Sequence, residues 1–314
     1  MNVEVAIVTI LQALVMVAIS PLMVGIIRKM KALMQGKVGP SIIQPYRDLR
    51  KLMRKGRVAG KSHTWLFSAV PYLCLSSMLI LALMVPFVYV EVASPYIDLI
   101  TMVYLFTLFR FAMVLGGLEG GSVFGGMGSS REMMMSVLIE PALLLSIMSM
   151  VALTGGSTGI SNIPDVLCEM GLAAVGPTLI LATTSFMITL LAENARVPFD
   201  NPATHLELTM VHEAMVLEYS GRKLGMMELA SQIRLTLFMV MVGTLFLPWG
   251  IATEFTLPAL VVATVAIVAK LLIIAAVIAI VECTVAKLRL FKTPNLLTIS
   301  FTLSLLAMIS IYIL

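Results

Sequence analysis

Eight long apolar runs constrain this chain more than any single motif. A bilayer core takes roughly 20 apolar residues per helix. Segments at about 4–27, 65–90, 99–116, 133–153, 177–193, 229–250, 258–282 and 296–314 meet that requirement, the third and fifth near its short limit. Only 12% of the 314 residues are charged and 60% are hydrophobic, where a soluble domain carries about 25% charged residues. Too little polar surface is available for a soluble fold, so the sequence predicts an all-α, polytopic membrane protein of about eight spans, forming one membrane domain over 1–314. The first run lacks a basic leader and a small-residue cleavage site and reads as a retained span.

The basic residues orient the spans. Residues 28–64 hold eleven of the 21 Lys and Arg against one acid, Asp48, and the loops at about 117–132, 194–228 and 283–295 hold seven more. The alternate loops, 91–98, 154–176 and 251–257, hold none. Positive loops stay inside, so the basic loops are expected in the cytoplasm, with both termini outside, in the cell membrane. Cys74, Cys168 and Cys283 have no paired spacing and predict neither a disulfide framework nor a metal site.

Several motifs fail on spacing. Gly56 to Ser62 resembles a phosphate-binding loop, but Lys55 stands where a glycine is needed and no strand precedes it. The glycine run 116–128 lacks a GxGxxG register and reads as close backbone packing or a mobile loop. His212-Glu213 begins like a zinc helix, but Val216 occupies the second histidine position.

The ionisable residues concentrate elsewhere. Between Glu193 and Gly221 lie five carboxylates (Glu193, Asp200, Glu207, Glu213, Glu218) and two of the three histidines, His205 and His212. Such groups in an apolar chain mark an ion path or a site. Asn201-Pro202 is a helix start, and a helix from there to Tyr219 would put Glu207 and Glu218 on one face. Apolar neighbours along it predict burial, which raises carboxylate pKa values and suits proton exchange. Arg196 and Asp200 are expected to pair across the Pro198 turn. Arg110, Glu140, Arg234 and Lys270 are ionisable residues inside spans, and Glu140 precedes Pro141.

At these residues the chain resembles the subunit 1 family of respiratory complex I and its hydrogenase relatives. The matching motifs are Gly39-Pro40, Gln44-Pro45, Asp48 and Lys51-Leu52; Ser130-Arg131-Glu132 to Glu140-Pro141; and Glu193-Asn-x-Arg196-x-Pro-Phe-Asp200 to Glu218-Tyr-Ser-Gly221. Respiratory members carry acids where Ala203 and His205 stand here, and the run to Glu218 is longer here. The wording from Asp200 to Glu213 is closer to the membrane anchors of group 4 membrane-bound [NiFe] hydrogenases.

The resemblance implies a non-catalytic membrane subunit with no redox centre of its own. Its expected partners are peripheral hydrogenase large and small subunits with an iron–sulfur protein, and antiporter-like membrane subunits. The [4Fe-4S] clusters and NiFe centre would reside in those partners. Glu140, Glu193, Glu207, Glu213 and Glu218 are the expected proton path, with Lys270 leading onward and Arg131 and Arg196 pairing with the acids. Gly39, Pro40, Gln44, Pro45, Asp48 and Lys51 are expected to dock the peripheral arm. The alternatives are the equivalent subunit of an archaeal sulfane reductase or of a quinone-reducing complex I. A stand-alone secondary transporter would need matching halves, and none are seen.

Overall fold

The computed structural model describes residues 3–56, 64–88, 98–156, 158–160, 163, 166–167, 176–200, 210–247, 249–251 and 257–313. Among these, ten α-helices run in the order α1 Val3–Met34, α2 Gln44–Arg54, α3 Trp65–Met84, α4 Leu99–Glu119, α5 Val123–Leu153, α6 Pro177–Glu193, α7 His212–Val216, α8 Gly221–Met241, α9 Leu257–Thr284 and α10 Thr293–Ile313. A π-helical turn, Val242–Phe246, extends α8. Seven of these elements are long and apolar enough to cross a membrane, and α6, at 17 residues, is a shorter apolar helix. The chain is an all-helical, multi-pass membrane protein.

Helix and apolar run do not coincide, because hydropathy marks contact with hydrocarbon while hydrogen bonding sets helix length. α1 continues past residue 27 to Met34, so Arg28 to Lys31 lie on a helix and not in a loop. α5 starts ten residues before the apolar run, at Val123, where the Ser122 hydroxyl accepts from the Gly125 amide at 3.1 Å. α8 starts at Gly221, eight residues earlier than expected, which shortens the 194–228 loop. Gly221 itself has a φ of +56°, and a Cβ there would lie 2.4 Å from the Gly56 carbonyl oxygen.

The bundle is built around α8. Its span is 89% buried, against 22% for α10 and 33% for α9. α8 touches α1, α2, α3, α6 and α9, while α5 packs on α4, α6 and α10. Phe106 of α4 and Phe186 of α6 meet Phe238 of α8 at ring distances of 4.4 and 5.8 Å. α6 and α10 are joined by a reciprocal serine pair: the Ser185 hydroxyl donates to the Ser300 carbonyl (2.7 Å), and the Ser300 hydroxyl to the Ser185 carbonyl (3.0 Å). Small hydroxyl residues permit such close approach between helices in lipid.

The glycine-rich run is a packing device, one of the two readings expected of it. A Cβ at Gly125 would sit 2.4 Å from the Gly117 carbonyl oxygen, and one at Gly128 would sit 2.7 Å from that of Val211. The α4–α5 corner and the segment entering α7 are therefore in backbone contact.

Candidate functional site: a buried arginine hub and an adjoining cavity

Arg110 sits in the middle of α4, within a stretch that has no other charge. Its guanidinium is 2% exposed and meets three carboxylates. Nε lies 3.4 Å from Glu132, one terminal nitrogen donates to Glu140 at 2.9 Å, and the other donates to Glu193. Glu132 and Glu140 come from α5, and Glu193 is the last residue of α6. A planar group with five donors suits three acceptors approaching from different helices. Glu132 and Glu193 are buried, whereas Glu140 is 36% exposed, into a groove lined by Val103, Tyr104, Ser136 and Leu144. A second arginine, Arg234 of α8, is equally buried, feels the charges of Glu132 and Arg110, and lies over the Phe109 ring at 4.6 Å.

Past Glu193 the chain turns sharply. Arg196 N–H donates to the Leu191 carbonyl at 2.9 Å and Ala195 N–H to that of Ala192 at 3.2 Å, the two hydrogen bonds that close a helix C-terminus around a left-handed residue. That residue is Ala195, with φ 47°, and not the usual glycine. The Phe199 and Asp200 amides then both donate to the Arg196 carbonyl, and Leu288 N–H donates to that of Pro198.

The expected pair between Arg196 and Asp200 gives way to longer-range partners. Arg196 donates to Glu282 of α9 at 3.0 Å, and Lys31 of α1 meets the other oxygen of Glu282 at 3.1 Å. Asp200 accepts from Lys287 at 3.1 Å and from the Val211 amide at 3.1 Å. Two residues of one tight turn thus hold Glu282 of α9, Lys287 and the segment entering α7. Arg131 donates to the Met210 carbonyl at 3.2 Å.

A cavity of about 460 Å³ opens beside this turn, lined by α1, the 194–200 turn, α7, α8 and Glu282. Glu213 lines it. Burial first, then the neighbouring Glu228 and Asp200 charges, push its carboxyl up to about 7, with Arg28 pulling the other way. His212 also lines the cavity and is half-buried by exposed area. Burial, followed by the Arg234 charge, lowers it to about 3, so its imidazole is neutral at physiological pH.

The other described site residues are not among the partners of Arg110. Glu207 falls outside the described residues, as does His205. The predicted helix to Tyr219 is described only from 210 onward, where it is the short α7 followed by a turn. Glu218 was expected to be buried and is exposed, its stem against Gly120. Tyr219 turns inward instead and stacks on Phe67 at 4.1 Å. Lys270, expected to lead onward along the path, donates to the Gly243 carbonyl at 3.0 Å and to that of Leu247, at the end of the π-helical turn.

The motif expected to dock a peripheral arm forms a compact unit. Gly39 adopts φ +67°, Gln44 donates to Asp48 at 2.9 Å, and Pro45 occupies the first turn of α2. Leu52 and Met53 pack on Gly225 of α8, leaving Arg47, Arg50, Lys51 and Arg54 exposed.

Two residues central to this geometry were seen in the sequence only as isolated span charges, Arg110 and Arg234. Glu132 was visible only inside a motif. Glu282 and Glu228 carried no signal at all, and the partners of Glu282, Lys31 and Arg196, come from distant parts of the chain.

A bundle of spans gathering buried carboxylates around an arginine, with a basic loop face, defines a multi-pass membrane protein with a charged interior. The chain belongs to the NADH dehydrogenase subunit 1 family: the profile described as NADH dehydrogenase matches residues 5–313. It is 36% identical over 302 residues to formate hydrogenlyase subunit 4 of Escherichia coli (strain K12), covering 96% of this chain and 97% of that one. Hydrogenase-4 component C of the same organism is 35% identical over 297 residues, covering 94% and 92%. NADH-quinone oxidoreductase subunit 8 of Rhodothermus marinus is 24% identical over 230 residues, covering 70% of this chain and 66% of that one. The fold is shared with a chain of the membrane-bound sulfane sulfur reductase, an archaeal respiratory membrane complex (TM-score 0.81, 20% identity, 98% of this chain and 100% of that one). The protein is thus a membrane subunit of a complex I-like assembly, homologous to the formate hydrogenlyase and hydrogenase-4 proteins.

Proposed function

We propose that this chain anchors a cytoplasmic [NiFe] hydrogenase arm in an energy-converting complex and couples its electron transfer to H⁺ or Na⁺ movement. The observation that carries the reading is the Arg110 hub. Buried Arg110 meets the buried Glu132 and Glu193 and the partly exposed Glu140, and buried Arg234 feels the charge of Glu132 from α8. Buried charge favours neutrality, so a charge arriving on the docked redox arm is compensated by a proton taken up or released at this carboxylate cluster.

The hub also has a way in and a way out. Glu193 and Asn194 are adjacent, one on the hub and the other on the cavity, and Gln232 and Arg234 bridge the same two regions from α8. Glu140 reaches the groove between α4 and α5, where a neighbouring membrane subunit would continue the path. The near full-length similarity to formate hydrogenlyase subunit 4 favours a hydrogenase arm. Nickel and iron–sulfur clusters then belong to partners, and the basic face of α2 supplies the docking surface. The loop face carrying it is read as cytoplasmic.

The test is Glu193→Gln in the purified complex reconstituted into vesicles. Hydrogen evolution and ion uptake should become uncoupled, with uptake reduced at least tenfold. If both are unchanged, the hub is not on the path. Nickel and a large hydrogenase subunit should co-purify with the chain; a nickel-free complex would rule out the hydrogenase arm.

A further inference from the structure

The loop-side cavity contains an acid pair that the hub does not use. Glu213 of α7 and Glu228 of α8 both line it, and Glu228 lies one helical turn before Gln232 on the same wall. Gln232 is 7% exposed, and its side-chain oxygen has no hydrogen-bond partner among the described residues. The buried side-chain oxygen of Asn194, also on the cavity wall, has none either, although its amide nitrogen donates to the Leu190 carbonyl. Buried acceptors of this kind are almost always satisfied, by water where protein supplies no donor. A polar cavity of this volume accommodates several waters.

Four other charges on the wall are held in ion pairs. Lys31 and Arg196 hold Glu282, and Asp200 holds Lys287. His212 is neutral and does not compete for a proton near pH 7. Arg28, from α1, is the cation whose charge acts on Glu213, and Glu228 and Asp200 are the anions. Two carboxylates in one partly enclosed space repel each other, and a single shared proton relieves the repulsion.

We infer that Glu213 and Glu228 form a proton-sharing carboxylate pair, hydrated through Gln232 and Asn194, that loads protons from the loop side. The pair takes one proton from solvent and passes it along water toward Asn194 and Glu193, regaining its second negative charge. No bond other than O–H is made or broken. This inference rests on the proposed coupling function and supplies its entry point. Within the pair the shared proton rests chiefly on Glu213, where the charge of Glu228 favours it.

The test reads proton binding without turnover, by infrared titration of protonated carboxyl groups in the intact complex. The wild type should lose a carboxyl band as pH rises through about 7, and Glu213→Gln should remove that band. Glu228→Gln should lower the midpoint by about one pH unit, the size expected for interacting carboxylates. Glu228→Asp, which keeps the charge but withdraws it, should give a smaller downward shift and serves if the glutamine variant fails to assemble. An unchanged midpoint in both variants overturns the pair. So does a midpoint that falls when sodium chloride replaces potassium chloride, since a metal ion would then be the occupant. A shifted midpoint supports the pair even in a complex whose ion uptake survives Glu193→Gln, the outcome that would sink the coupling function alone.

Discussion

Arg110 is the residue on which most depends, because three carboxylates from two other helices converge on it. Removing one partner of a buried ion pair costs about 3–5 kcal/mol, since the other charge stays buried without compensation. Arg110→Gln should therefore lower the thermal midpoint of the detergent-solubilised complex by many degrees. Arg110→Lys should rescue little, because one ammonium cannot span three acceptors in fixed directions. A lysine variant with wild-type melting would mean the three carboxylates are held by something else. Glu213 offers a milder test. Its pKa is raised from 4.5 to about 7 in the fold, so the native state binds more protons than the unfolded chain between those values. Stability must then fall as pH rises from about 4.5 to 7 and level off above. Glu213→Gln should flatten that slope in melting curves taken across the interval.

These interactions also mark where reading the sequence stops. Arg110 stood out as an arginine in an apolar run, but its partner Glu193 is 83 residues away. Glu282 pairs with Lys31 at a separation of 251 residues, and no local pattern encodes such a meeting. The identity of an ionisable group is local information; its partner is set by how helices pack.

For the helices, each of the eight apolar runs holds a described helix, seven of them long and apolar enough to cross a membrane, while their ends were misplaced wherever a helix outruns hydrocarbon. α5 is the clearest case, since Val123 to Glu132 is helical yet rich in glycine and serine. The residues that lower helix propensity there are required for contact: Gly128 lies under the Val211 carbonyl and the Ala214 methyl. Gly128→Ala would place a methyl 2.7 Å from that oxygen, and overpacking of this kind costs about 1–3 kcal/mol. The strain falls on the segment leading into α7, so hydrogen exchange of residues 210–216 should accelerate in the variant. Unchanged protection there would show that the close approach is relieved elsewhere. Lys270 is similarly an element-level feature. Its ammonium ends the π-helical turn of α8 by meeting the Gly243 and Leu247 carbonyls, groups a helix C-terminus otherwise leaves unpaired.

Across the molecule, the ion pairs and side-chain contacts of the loop face join segments that the sequence separates. Lys31, Arg196 and Glu282 tie α1, the 194–200 turn and α9 together, and Asp200 brings in Lys287. α2 lies on the same face, fastened by Arg222, whose Nε donates to the Met53 carbonyl at 3.2 Å. Described parts of three basic loops are thus joined on one face, and the charge asymmetry that predicted orientation has a second consequence. Arg47, Arg50, Lys51 and Arg54 point away from the bundle and hold no part of the fold together by packing. If they dock a peripheral arm, their work is electrostatic steering and register, which acts on association and is weakened by salt. Replacing Arg47, Arg50 and Arg54 together by glutamate should leave the membrane subunits assembled and equally thermostable. The peripheral arm should be lost during purification at moderate ionic strength, at least tenfold against the wild type. Because the substituted side chains are exposed, destabilisation of the bundle would not be the expected cause of the loss. Retention of the full arm on the charge-reversed surface would assign docking to some other part of the loop face.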